Sequence, residues 1–131
     1  MNKNYAILIA VVVAIVVAGA RMRRPPDRKQ IEKEIATLNA TLPRNVDTIT
    51  TQTRVELVDN TINSYYAVTQ VMENDATVTE TLRQGILKQL CAKPDARKAL
   101  ALGYSLNNVY AVRTPRGPDQ ISVLIKSTDC G

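Results

Sequence analysis

The chain has 131 residues, 45% of them hydrophobic but only 4% aromatic, and it contains no His, Trp or Phe. Without histidine, Ser-His-Asp and Cys-His catalysis and histidine-ligated zinc are excluded within a single chain. The formal charge of +5 is confined to the start: residues 1–33 hold seven basic and two acidic side chains, and the rest of the chain holds ten of each. A neutral folded region has no stripe with which to displace phosphate counterions, so no nucleic-acid partner is expected.

In chain order, the first element is Tyr5–Ala20, an uncharged, almost wholly apolar run. As a helix its 16 residues span about 24 Å, between a signal-peptide core and a full membrane crossing. Ala18-Gly19-Ala20 fits a signal cleavage site, whereas Arg21, Arg23 and Arg24 resist translocation and favour an uncleaved anchor. Pro25-Pro26 interrupts the chain, and Asp27 with Gln30 offers a cap for a new helix. Ile31, Ile35, Leu38 and Leu42 then form a narrow apolar seam, either packed on the chain's own domain or shared in a homodimer.

Beyond Pro43 the sequence turns β-branched. Ile49, Thr51, Thr53, Val55 and Leu57 alternate with Thr50, Gln52, Arg54 and Glu56, which predicts a strand. Asp59-Asn60 is the expected turn into a return strand over 61–72, with Ile62, Tyr66 and Val68 on one face and Tyr65, Ala67 and Val71 on the other. The spacing of Val78, Leu82, Ile86, Leu87, Leu90 and Cys91 predicts an amphipathic helix capped by Asn74-Asp75. A short helix over 96–102 should end at Gly103. Two strands, over 104–113 and 120–127, are expected to flank a turn from Thr114 to Asp119. The order α-β-β-α-α-β-β implies an α+β fold, a four-stranded antiparallel sheet with helices on one face. The corresponding divisions are 1–24, a short tail and membrane segment; 25–43, a linker and juxtamembrane helix; and 44–131, a small α+β domain.

Cys91 and Cys130 are the only cysteines, the expected composition of a disulfide in a small exported domain; two free thiols are the alternative. Asp47, Glu56, Asp59, Glu73, Asp75 and Asp119 fall near turns or strand surfaces, but no spacing pairs them for acid–base work or metal binding. All five glycines are isolated, which removes a phosphate loop. No catalytic residue, cofactor or metal is therefore expected. Tyr65, Tyr66 and Tyr110 in the strands, and Arg113 and Arg116 at the last hairpin, are the candidate partner contacts. The reading is a non-catalytic, single-pass protein of the bacterial inner membrane whose periplasmic domain binds envelope proteins. It would be an accessory or regulatory subunit of a secretion or conjugation assembly, or an inhibitor or exclusion factor. A secreted small hydrolase or lytic factor freed by cleavage after Ala20 is the first alternative, and a cytoplasm-facing membrane adaptor the second.

Overall fold

The computed structural model describes residues 28–92 and 94–130, so the expected membrane segment, its basic flank and the Pro-Pro linker lie outside the described residues. Helix α1 (Arg28–Asn39) leads into a two-residue strand β1 (Arg44–Asn45), then β2 (Thr50–Val58) and β3 (Thr61–Val71). Helices α2 (Ala76–Cys91) and α3 (Pro94–Ala101) follow, then β4 (Ser105–Thr114), β5 (Gly117–Ile125) and a 3-10 turn (Ser127–Cys130). None of the described helices is long and apolar enough to cross a membrane.

The sheet has five strands in the order β1-β2-β3-β4-β5, one more than the sequence predicts. It is also mixed rather than antiparallel, because β3 and β4 run parallel. The physical reason is the two-helix crossover: α2 and α3 carry the chain back to the end where β3 began, so Thr61 pairs with Ser105 and the Ser105 N–H donates to the Asn60 carbonyl at 2.8 Å. A connection of this length permits a parallel return that a tight turn forbids. Asp75 caps α2 by accepting the Val78 N–H at 2.8 Å. Pro94 is the first residue of α3, a position where the missing N–H costs nothing. Gly103, at φ +96°, closes α3 as expected.

Strict alternation fails in β2. The register slips between Gln52 and Arg54, so Thr53 bulges and the inward set becomes Thr50, Gln52, Val55 and Leu57. Thr50 and Gln52 are therefore 1% exposed, although the sequence places them with the polar face. The last hairpin is tighter than expected: Thr114 pairs with Gly117, leaving only Pro115 and Arg116 in the loop. Pro118 lies within β5, an edge strand, where an absent N–H is tolerated.

One core unites Ile31 and Ile35 of α1 with Leu82, Ile86 and Leu90 of α2, Leu100 of α3 and the inward residues of the sheet. All the described helices thus pack on one face. Leu38 and Leu42 pack against the same core, so of the two readings of the seam Ile31, Ile35, Leu38 and Leu42 the structure supports packing on the chain's own domain. Cys91 and Cys130 form the expected disulfide, which ties the chain's last turn to the end of α2. Arg83 reinforces it, donating to the Leu124 carbonyl and pairing with Asp129, both at 2.8 Å.

Candidate interaction surfaces

Helices cover one side of the sheet, and the other side is built from the outward residues of β2 to β5. At its centre the Arg54 guanidinium lies 4.3 Å from the centroid of the Tyr65 ring, and the Tyr65 hydroxyl donates to Glu56 Oε1 at 2.6 Å. Arg54 and Glu56 are themselves 3.8 Å apart. The three side chains thus balance charge locally. The hydrogen bond to the Glu56 carboxylate, with some burial, raises the Tyr65 pKa, and Arg54 opposes the rise. In the next row Asn107 Nδ2 donates to Asn63 Oδ1 at 2.9 Å. Val109, opposite Tyr65, is 6% exposed yet lies outside the helix-side core. Toward the rims stand the exposed apolar side chains of Val71, opposite Arg113, and Leu124, opposite Asn107. The face therefore mixes polar and apolar side chains.

Of the five expected contact residues, Tyr65 is on this face and Arg113 is exposed toward its hairpin end. Arg116 sits in the two-residue loop, held by its N–H to Thr114 Oγ1 at 3.1 Å. Tyr66 and Tyr110 are not surface residues. They are 2% and 0% exposed, stacked with centroids 5.1 Å apart beneath the helices, filling volume in a core without Phe or Trp. Burial pushes the Tyr66 pKa up to about 12, against a smaller pull from the Ser64 hydroxyl and the Arg44 charge. Burial also raises Tyr110 strongly.

The sheet edges are occupied by side chains. Asn39, from α1, donates to the Val55 carbonyl at 2.7 Å and accepts the Val55 N–H at 2.9 Å. At the other edge, Asn74 Nδ2 donates to the Gln120 carbonyl at 3.3 Å and to Asp119 Oδ2 at 2.7 Å. The Asn74 amide, with the Gln120 N–H, holds the Asp119 carboxyl below its ordinary pKa.

Four of the carboxylates have structural roles. Asp47 accepts the N–H groups of Ile49 and Thr50, Asp75 caps α2, Asp129 pairs with Arg83, and Glu32 pairs with Arg28. Among the described residues no group of three or more His, Cys, Asp or Glu is placed to hold a metal ion.

A groove of about 380 Å³ runs between α3 and the 3-10 turn, with Arg97 and Lys98 at its rim and Leu100, Ala101, Ser127 and Cys130 among its lining residues. Sequence reasoning passed over Arg97-Lys98. The available signal was an adjacent basic pair on a short amphipathic helix leading into Leu100.

No protein-family model matches the sequence, and no curated protein matches it. Solved structures do share the fold. A Pseudomonas aeruginosa protein described as secreted superposes with a TM-score of 0.59 at 16% identity, over 79% of this chain and 91% of that one. The pilotin EpsS of the Vibrio vulnificus type 2 secretion system gives 0.56 at 14% identity, over 99% and 98%. The type II secretion pilotin AspS of Vibrio cholerae gives 0.52 at 18% identity, over 91% and 94%. At these identities the likeness is one of fold.

Proposed function

We propose that this chain is a non-catalytic protein-binding module of the bacterial envelope, an accessory subunit in an assembly of the kind to which the type II secretion pilotins belong. The observation that carries the reading is the extent of the shared fold, which spans 98% of EpsS and 94% of AspS. The uncovered sheet face around Tyr65 is the surface assigned to partner docking. A disulfide suits an oxidising compartment, which favours the periplasm over the cytoplasm. It also uses both cysteines of the sequence, so neither thiol remains to carry a lipid, and membrane attachment is assigned to Tyr5–Ala20. Confinement to the membrane plane raises local concentration and offsets modest intrinsic affinity. The capping and pairing roles of Asp47, Asp75 and Asp129 favour binding over the hydrolase alternative.

Site-specific photocrosslinking in intact cells tests the reading, with the probe placed at Ser122 or Val71 on the open face. The expected result is a defined adduct with a subunit of an envelope assembly, together with maleimide labelling of Cys91 and Cys130 only after reduction. Adducts confined to cytoplasmic proteins, or both thiols labelled without reduction, would overturn it.

A further inference from the structure

We propose that the groove between α3 and the 3-10 turn is a second docking site, which takes an acidic segment of a partner protein carrying a leucine-like side chain. The proposal rests on the reading of the chain as an envelope binding module and adds a partner chemistry to it. Charge is the first argument. Arg28, Arg54 and Arg83 each pair with a carboxylate, but among the described residues Arg97 and Lys98 make no ion pair and none of the side chains lining the groove is acidic. Two uncompensated cations on one wall attract carboxylates and steer their approach.

The floor supplies the second argument. Leu100, 1% exposed and part of the core, and half-buried Cys130 form an apolar base beneath the cations. A volume of about 380 Å³ matches a short peptide or small ligand rather than a folded surface. Preorganisation is the third. The disulfide fixes the Cys130 wall to α2, and the Arg83–Asp129 pair at 2.8 Å holds the same turn, so little ordering cost is left for binding. By sequence, residues 21–33 carry six basic side chains, so a bilayer surface finds more cations there than in the pair at this groove. Because α3 packs on the helix side, the groove and the Tyr65 face lie on opposite sides of the sheet. One module could then hold two partners at once.

The test uses the full chain in zwitterionic nanodiscs and a fluorescein-labelled hexapeptide of alternating glutamate and leucine, followed by anisotropy. Saturable binding is expected, weakened about tenfold or more by Arg97→Glu combined with Lys98→Glu. Ala101→Trp, an exposed position on the groove wall, should block it with the thermal transition unchanged. Arg113→Glu combined with Arg116→Glu should leave it intact. Absence of saturable binding overturns the proposal, as does equal loss in both charge-reversed pairs or equal binding of a lysine–leucine hexapeptide. Loss of phosphatidylglycerol-vesicle binding by Arg97→Glu, with the peptide indifferent, assigns the groove to lipid and also overturns it. The Ser122 crosslinks separate the two readings: they persist in the Arg97→Glu, Lys98→Glu variant if only the groove proposal fails, and never reach an envelope assembly if the module reading fails.

Discussion

The two faces of the sheet handle polar groups in opposite ways. Beneath the helices, Asn108 is 1% exposed and among the described residues neither its amide nitrogen nor its amide oxygen has a hydrogen-bond partner, nor does the buried Thr50 hydroxyl. On the open face, Arg54, Tyr65 and Glu56 satisfy one another, as do Asn63 and Asn107. Burial makes an unmet polar group expensive, whereas water would have solvated the open-face groups in any case. The covered face thus carries a stability cost, and the open face spends hydrogen bonds on holding side chains in place. That is the pattern expected if one face serves folding and the other serves docking.

The largest change expected on the covered side comes from its covalent tie. Replacing Cys91 and Cys130 together by alanine frees a 39-residue loop and should lower the unfolding free energy by about 3–4 kcal/mol, read by urea titration. Next is the tyrosine stack. The folded pKa of Tyr66, about 12, exceeds the ordinary 10.0, so its contribution is intact below pH 10.0 and is lost as pH rises through about 12. Tyr66→Phe should flatten that alkaline limb by about 2–3 kcal/mol, measured as unfolding free energy against pH. Asn108→Leu should raise stability by about 1–2 kcal/mol by removing two unmet buried atoms; a loss would show that the amide is satisfied in solution. On the open face, Tyr65→Ala should cost under about 1 kcal/mol in stability while reducing crosslinking from Ser122, because it removes one part-buried hydrogen bond and one ring contact and leaves the Arg54–Glu56 pair in place. A large stability loss there would erase the distinction between the faces.

Much of this arrangement was legible in sequence. The seam Ile31-Ile35-Leu38 and the stripe Val78 to Cys91 marked helices and their buried sides through a period near 3.6, although the first helix stops at Asn39, before Leu42. The disulfide followed from having only two cysteines. What escaped depends on distant partners. A bulge at Thr53 inverts the inward set in the first part of β2, bringing in Thr50 and Gln52, without leaving a local signature, and the parallel pairing of β3 with β4 is decided by where the two-helix crossover lands. Tyr65 and Tyr66 are neighbours of identical chemistry, so only the direction of the pleat sends one to the surface and the other into the core. The groove was hidden for a similar reason, since its walls come from α3 and from a turn 26 residues further on, between Ala101 and Ser127.

Asn39 has a consequence beyond its two hydrogen bonds. With a single amide it imitates the peptide group of an absent neighbouring strand, while Asn74 and Arg83 occupy carbonyls on the far side of the sheet. An unguarded border of this kind invites copies of a chain to zip together into fibres, most of all when they are crowded onto a surface. Three side chains from outside the sheet therefore act as bumpers between molecules. A population of such domains can be dense and still remain a set of separate individuals, each with its open face available to something else.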